Sequence, residues 1–215
     1  MSPNNKDNST RDRLLKVAEE LFAQKGYDAV SVREITTAAR CNLAAVNYHF
    51  GTKQSLYLQM FRERWLSMAQ RLLDCFEENL ARHGESSPGP VIRSLAEAFI
   101  KGPFTDEERL YHFQLMTREL IKPSEGFDLV VNEVVRLFFE RLGQRLSAIF
   151  ADTTDAECII LNMLCIIAMI NYFNVARTPV SRITGRAYDE PFKDHLVQHI
   201  VTFCLSGLPL KEAEQ

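Results

Sequence analysis

The segment from Leu43 to Phe50 carries side chains that can contact the edges of DNA base pairs. Ala44 and Ala45 allow a close approach and can touch a thymine methyl group, and Asn47 can hydrogen-bond to adenine. At 3.6 residues per turn, the other side of such a helix is apolar and consists of Leu43, Val46 and Phe50. This spacing predicts a short helix that packs through one face and reads bases with the other.

A helix start precedes this segment. Ser31 can accept a hydrogen bond from the free amides, and Glu34, three residues later, can complete a capping box. Val30 and Ile35 are placed to form a hydrophobic staple across the helix start. The apolar face expected for this first short helix consists of Ile35, Ala38 and Ala39.

The two helices are joined by a tight turn. Arg40 and Cys41 interrupt the apolar spacing, and Asn42 is the expected N-cap of the second helix. Gly51 ends that helix, and Thr52 caps a third. If Arg40 ends the first helix, its backbone must be left-handed. This arrangement is typical of a DNA-binding helix-turn-helix, although an ordinary helical hairpin has the same outline.

The block Val-Asn-Tyr-His-Phe-Gly-Thr-Lys, from Val46 to Lys53, resembles the TetR family of one-component transcriptional regulators, as does Ser-Val-Arg-Glu-Ile at residues 31–35. The DNA-contact residues that this resemblance implies are Ser31, Arg33, Asn42, Ala44, Ala45, Asn47, Tyr48, His49 and Lys53. Within this set, Ala44, Ala45 and Asn47 would face base edges, and Ser31, Arg33, Tyr48, His49 and Lys53 would touch phosphates. Two residues depart from the family pattern. Arg40 stands where the turn usually has Gly, and Leu43 stands where a basic residue often opens the second helix.

Charge is divided unevenly along the 215 residues. Residues 1–53 carry eight Lys or Arg and six Asp or Glu, a net charge of +2, and the remainder carries a net −5. A basic head on an acidic body suits a small DNA-binding unit joined to a domain that need not contact DNA. Hydrophobic residues make up 46% of the chain, which is enough for a sizeable core.

The composition also predicts a location. Five cysteines without a C-x-x-C motif favour reduced thiols rather than a disulfide framework. The polar N-terminus lacks the apolar core of a signal peptide. The longest near-apolar run, from Cys158 to Ile170, is shorter than the roughly 20 residues that a bilayer requires. We therefore expect a cytoplasmic protein that does not bind a membrane.

The periodicity predicts an all-α fold of about nine helices. Residues 1–9 are expected to be a disordered tail, residues 10–53 a helix-turn-helix domain, and residues 54–215 a ligand-binding and dimerisation domain. A long helix is expected from Thr52 to about Arg82, and a loop from Thr178 to Pro191. The inner stripe of the helix that ends before Pro123 is expected to be Leu110, Phe113, Thr117 and Leu120.

Arg118-Glu119 followed by Pro123 and a helix rich in Val, Phe and Leu also resembles the C-terminal domain of the CecR-type subgroup of TetR proteins. Aromatic and methionine side chains recur in this part of the chain and could line a pocket for a small, largely apolar effector. The predicted ligand contacts are Trp65, Met68, Phe113, Met116, Arg118, Asn162 and Met169. The apolar members could equally be core residues. Arg118, Glu119 and Asn162 are either paired structural groups or handles for a ligand.

Neither metal nor enzyme chemistry is predicted. His195 and His199 lie four residues apart, a spacing that allows metal binding, but no third ligand accompanies them. No nucleophile–base pair, Gly-rich phosphate loop or acidic cluster is present in the sequence, and no cofactor is expected.

The main prediction is a ligand-responsive DNA-binding repressor that acts as a homodimer on a palindromic operator. The apolar helix from Asp155 to Ala176 would pair with its symmetry mate and with the last helix, through Leu196, Ile200 and Phe203. A helical ligand-binding protein that has lost operator binding is the first alternative, and Arg40 and Leu43 favour it. An all-α enzyme is the second, supported only by the pocket candidates.

Overall fold

The computed structural model describes residues 3–84, 87–147 and 155–207, and the regular elements in these ranges are all helical. They are α1 (Pro3–Lys25), α2 (Val32–Ala38), α3 (Leu43–Phe50), α4 (Lys53–Met60), α5 (Leu66–His83), α6 (Pro88–Ile100), α7 (Asp106–Ile121), α8 (Glu125–Val130), α9 (Arg136–Ser147), α10 (Ala156–Val175), α11 (Arg177–Thr184) and α12 (Glu190–Gly207). Two π-helical turns complete the series: Phe61–Trp65 joins α4 to α5, and Val131–Val135 joins α8 to α9. The prediction of an all-α fold is confirmed.

Two predicted boundaries are wrong. Helix α1 begins at Pro3, so the expected tail of residues 1–9 is helical from its third residue. Proline suits the first turn of a helix because its φ is already helical and its missing amide hydrogen is not needed there. Helix α11 occupies the first half of the expected loop, with Pro179 in its own first turn and Val180 buried.

The chain packs as two compact units. The first comprises Met1–Ala69 and Asp106–Val135, and the second comprises Gln70–Thr105 and Arg136–Gln215. The compact unit that holds the helix-turn-helix is therefore larger than residues 10–53, because it extends through α4 and includes α7 and α8. The division into a DNA-binding and a ligand-binding domain remains a prediction about function.

Each unit has its own apolar core. The core of the first unit includes Leu14, Phe22, Ile35, Val46, Leu56, Met60 and Phe61, and that of the second includes Val91, Leu95, Ile166, Ile170, Leu196 and Ile200. Full burial of one such side chain contributes about 1.5–3 kcal/mol. Leu196 and Ile200 thus pack inside the chain and do not form the outer face expected of them, whereas Phe203 is exposed.

Helix α10 is longer than the apolar run suggested. It spans 20 residues, contains a window of mean hydropathy 2.0, and by length and composition could cross a bilayer. The argument from length against a membrane segment is therefore wrong, because the helix extends beyond Cys158–Ile170 at both ends. Its buried residues are Met163, Ile166 and Ile170, and one of its faces stays exposed in the single chain.

The inner face of α7 differs from the expected stripe. Leu110, Phe113 and Leu120 are exposed, whereas Arg109, Leu115 and Glu119 are buried. A helical pattern that ranks residues by apolarity alone misses this face because two of its members carry charge. A charged group can be buried when hydrogen bonds replace the water that it loses.

Glu119 receives such hydrogen bonds from α4 and from the start of α8. The Tyr57 hydroxyl donates to Oε1 over 2.5 Å, and the Ser124 backbone amide donates to Oε2 over 3.0 Å. The Ser124 hydroxyl also lies within 2.9 Å of both carboxylate oxygens. Burial and the bond to Glu119 raise the pKa of Tyr57, so its hydroxyl remains a donor at neutral pH.

The guanidinium of Arg118 caps the C-terminus of α1. Its Nε donates to the carbonyl of Ala23 over 3.0 Å, and a terminal nitrogen donates to the carbonyl of Gln24 over 2.8 Å. These carbonyls lie in the last turn of α1, where no further amide of the helix can reach them. Asn162 is also paired, because its amide donates to the Cys158 sulfur over 3.6 Å. Arg118, Glu119 and Asn162 are therefore paired inside the protein.

We predict that Glu119→Ala lowers the free energy of unfolding by about 2–4 kcal/mol, because it leaves the buried Tyr57 hydroxyl and the part-buried Ser124 amide without their acceptor. Tyr57→Phe, which removes a single donor, should have a smaller effect. Urea denaturation followed by circular dichroism measures both changes. Glu125→Ala, at an exposed carboxylate bonded to Gln54, is the matched control and should change stability by less than about 0.5 kcal/mol. Equal losses for Glu119→Ala and the control would contradict the role assigned to Glu119.

Candidate nucleic-acid interface

Helix α2 begins with the predicted capping box. Ser31 has an extended backbone, and its hydroxyl accepts a hydrogen bond from the Glu34 amide over 3.1 Å. A bond from the Lys25 ammonium lowers the pKa of Glu34. The Ser31 half of the predicted capping box is therefore present, whereas the Glu34 carboxylate bonds to Lys25 and ties α2 to the end of α1.

The face that α2 buries was only partly predicted. Val30, Ile35 and Ala39 are buried, as expected for the staple and the apolar face. Ala38 is exposed, which is a correction, and Thr36 is buried in its place. The Thr36 hydroxyl can be buried without penalty because it donates to the Arg33 carbonyl over 3.0 Å.

The turn between α2 and α3 is held by two crossed backbone hydrogen bonds. The Cys41 amide donates to the Thr36 carbonyl over 3.0 Å, and the Arg40 amide donates to the Thr37 carbonyl over 3.1 Å. This pairing is the Schellman motif, which places one residue in the left-handed region. That residue is Arg40, with a φ of 53°, so the predicted left-handed backbone is confirmed.

Helix α3 is capped at both ends. The Asn42 side chain accepts from the Ala45 amide over 3.0 Å, and Gly51 ends the helix with a φ of 75°. Val46 and Phe50 are buried as predicted. Leu43 was expected beside them but is 54% exposed, and it is the first residue of α3, at the end of the helix.

The outer surface of α2 and α3 exposes most of the predicted DNA-contact residues. The exposed ones are Ser31, Arg33, Asn42, Ala44, Asn47 and Tyr48, and the half-buried ones are Ala45, His49 and Lys53. Tyr48 is 75% exposed, which is unusual for an aromatic side chain and leaves it accessible to a partner. The Lys53 ammonium lies 4.2 Å from the centre of the Tyr27 ring, so a cation–π contact orients it.

Cys41 lies in the turn between α2 and α3, immediately before Asn42. Its thiol points to the Thr36 carbonyl, with the sulfur and oxygen 3.7 Å apart. Burial raises the pKa of the thiol, which disfavours the reactive thiolate.

The predicted ligand contacts fall in both compact units. Trp65, Met68, Phe113, Met116 and Arg118 belong to the first unit, and Asn162 and Met169 belong to the second. Trp65 and Met68 are buried, Met116 and Met169 are half-buried against the two cores, and Phe113 is 38% exposed. Arg118 lines a groove of about 550 Å³ beside Lys25 and Tyr27, but its guanidinium is occupied by α1. These ligand contacts remain predictions.

Sequence reasoning missed His112. Its ring stacks on Trp65 with 4.3 Å between ring centroids and 7° between planes, and burial lowers its pKa to about 4. The sequence shows only that Arg109, His112, Met116 and Glu119 recur every three or four residues, and a stripe with two charged members does not by itself indicate a buried face. Among the described residues no group of three His, Cys, Asp or Glu side chains could hold a metal ion.

A capped helix-turn-helix with an exposed outer face, in an all-α chain of two units, is typical of a DNA-binding transcriptional regulator. Residues 14–60 match the family model of bacterial regulatory proteins of the tetR family, and residues 90–208 match that of the C-terminal domain of the HTH-type transcriptional dual regulator CecR. The chain belongs to the TetR family of transcriptional regulators and has a C-terminal domain of the CecR type.

A relative agrees with this assignment, and two solved structures share the fold. The HTH-type transcriptional dual regulator CecR of Shigella flexneri is 25% identical, over 92% of this chain and 90% of that protein. The TetR family regulator PfmR of Thermus thermophilus superposes with a TM-score of 0.63 at 22% identity, covering 94% of this chain and 98% of that one. A tetR family regulatory protein from Rhodococcus RHA1 gives 0.65 at 17% identity, covering 99% and 100%. At these identities the two structures support the fold alone.

We predict that Arg40→Gly raises the free energy of unfolding by about 0.5–1 kcal/mol, because glycine adopts a positive φ without steric strain. The same change removes a cation beside the DNA-binding surface, so affinity for DNA should fall while the melting temperature rises. Calorimetry and a mobility-shift assay measure the two effects. Arg40→Ala is the matched control, since it removes the same charge but keeps a side chain at the strained position. A glycine variant that melts no later than the alanine variant would show that strain at residue 40 is negligible.

Proposed function

We propose that the protein is a dimeric repressor that binds a palindromic operator and leaves it when a small, largely apolar molecule binds. The observation that supports this most directly is the outer face of α3, where Ala44, Asn47 and Tyr48 are exposed on a helix capped at both ends. A helix held in this way can enter the major groove without losing its own structure.

The proposed base contacts come from three small side chains. Residues 43–47 contain no Arg or Lys, so the bidentate contact between arginine and guanine is not available on this part of α3. Asn47 would bond to adenine, and Ala44 and Ala45 would touch thymine methyl groups. Specificity would therefore come from these contacts and from the shape of the DNA.

The proposed phosphate contacts surround this face. Arg33, Tyr48, His49 and Lys53 would hold the DNA backbone, with Ser31 and Asn42 at the two helix starts. Because its ammonium already rests on Tyr27, Lys53 would lose little side-chain entropy when it binds a phosphate.

Release by an effector requires linkage between two sites. The effector must bind the DNA-incompetent state more tightly, and DNA must weaken effector binding by the same factor. The candidate effector contacts are Trp65, Met68, Phe113, Met116, Arg118, Asn162 and Met169, with Arg118 and Asn162 already paired in this state. The Shigella flexneri relative is named a dual regulator, so activation at some promoters is a second outcome for this chain.

The proposed dimer interface uses the exposed face of α10. Ile160, Leu161, Leu164 and Tyr172 are each at least 45% exposed in the single chain and lie along one side of that helix. Phe203 is exposed on α12. An apolar strip of this kind is unfavourable in water, and a second copy of the chain would cover it symmetrically.

We predict that the protein sediments as a dimer at micromolar concentration and buries more than about 1,200 Å² in its interface. Leu161→Asp with Leu164→Asp should produce monomers, because two desolvated carboxylates would oppose two more across the symmetry axis. Ile183→Asp, at a side chain that is 81% exposed on α11, is the matched control and should leave the dimer intact. A parent protein that sediments as a monomer, or a doubly substituted protein that remains dimeric, would exclude this interface.

We predict different effects for two substitutions in the proposed DNA-binding surface. Lys53→Ala should weaken binding to all sequences about equally and lower the salt slope by about 1 per subunit, since it removes a phosphate contact. Asn47→Ala should relax the preference at one position per half-site and cost about 1–3 kcal/mol on the best site. Selection from a randomised palindrome library measures both, and the two half-sites should lie about one helical turn apart or a multiple of it.

Arg182→Ala, at an exposed cation on α11, controls for the general loss of charge and should leave binding unchanged. If Lys53→Ala shifts the sequence preference while Asn47→Ala leaves it intact, the assigned roles are reversed. If the parent shows no salt-dependent binding to genomic fragments at all, the alternative of a helical ligand-binding protein without an operator replaces the repressor.

A further inference from the structure

Trp65 places a hydrogen-bond donor inside the first unit without an acceptor. Its side chain is 5% exposed, and its indole nitrogen Nε1 has no hydrogen-bond partner in the described part of the chain. The residue ends the π-helical turn Phe61–Trp65 that joins α4 to α5. Such turns are rare and frequently occur at functional sites, because the extra residue turns a side chain toward a position that an α-helix would not serve.

His112 brings a second unpartnered nitrogen to the same place. Its ring lies parallel to the Trp65 ring at 4.3 Å, and its Nδ1 is buried without a partner among the described residues. The side chain as a whole is only half-buried, so His112 borders accessible space although it lies deep in the unit. Burial lowers its pKa to about 4, and the imidazole is therefore neutral at pH 7.

Two adjacent unpartnered nitrogens are costly to keep. A buried donor or acceptor without a partner costs about 1–3 kcal/mol, and few occur in native proteins. An ordinary packing role would be served as well by Phe at both positions. The pair is therefore better explained by a molecule that supplies the missing partners.

We propose that the stacked pair of Trp65 and His112 binds the polar end of the effector, and that this end is an uncharged carboxamide or hydroxyl group on an otherwise apolar molecule. This inference rests on the proposed function. The indole N–H requires an acceptor oxygen. His112 Nδ1 is a donor in one neutral tautomer and an acceptor in the other, and a carboxamide or hydroxyl can serve either.

The surroundings disfavour a charged ligand. Trp65 is 5% exposed and Nδ1 of His112 is buried, so an ion that enters this place loses its hydration. A cation would in addition be repelled by the buried guanidinium of Arg109, one turn before His112 on α7, and is disfavoured more than an anion. The neighbouring side chains Phe61 and Met116 are apolar and suit the remainder of the molecule.

The chain offers a direct probe, because Trp65 is its single tryptophan. Tryptophan fluorescence of the full-length protein would be titrated with benzamide, benzoate and benzylamine, which share a ring but differ in charge. We expect benzamide to change the fluorescence saturably with a Kd of about 1 mM, which is reasonable for so small a molecule. Benzoate and benzylamine should bind at least tenfold more weakly. Equal binding of all three, or no saturable change with benzamide, would overturn the proposal.

Variants separate hydrogen bonding from stacking. His112→Phe keeps a ring against Trp65 but removes Nδ1, and should weaken benzamide at least tenfold while the fluorescence probe is retained. His195→Phe, at an exposed position on α12, is the matched control and should bind benzamide like the parent. Benzamide binding by His112→Phe at the parental affinity would also overturn the proposal.

A mobility-shift assay on the selected operator distinguishes an error in the effector site from an error in the proposed function. If the protein and His112→Phe both bind DNA but benzamide does not bind to the parent, the effector site is wrong and the regulator remains. If the parent does not bind DNA, the proposed function itself fails, whatever the fluorescence shows.

Discussion

The buried carboxylate of Glu119 is the interaction on which the first unit depends. A charge that is 3% exposed is stable there only because Tyr57 and Ser124 surround it with donors. The guanidinium of the adjacent Arg118 donates to a carbonyl in the last turn of α1. Two neighbouring residues of α7 thus bind the helices on either side of the helix-turn-helix. This explains why residues 106–135 pack with residues 1–69, although the intervening residues 70–105 belong to the second unit.

The exposed polar pairs of the first unit hold secondary structure elements at defined positions, whereas its apolar core and the buried bonds of Glu119 supply stability. Lys122 with Asp28 and Lys25 with Glu34 continue the same connection at the surface. Exposed pairs of this kind contribute about 0–1 kcal/mol each, so they determine orientation more than stability. The proposed DNA-binding surface depends on these contacts for its geometry, because α2 and α3 are too short to be stable alone.

The features of the helix-turn-helix that could be predicted are those that depend on residues close together in the chain. The Ser31 and Asn42 caps, the staple of Val30 and Ile35, and the left-handed Arg40 all depend on neighbours in the chain, so sequence spacing alone predicts them. Leu43 was predicted wrongly because a helical wheel shows which residues share a face but not where the covering elements end.

What the sequence by itself determined was the all-α class, the helix-turn-helix with its caps, and the family resemblance, because each is encoded by local patterns of residue types. What only the tertiary structure decided was which face of α7 is buried, that Trp65 stacks on His112, and that α10 keeps an apolar strip exposed. These three features depend on contacts with residues that lie tens of positions away in the sequence. A charged or polar residue joins a core only where distant donors replace its water, and no local pattern records those donors.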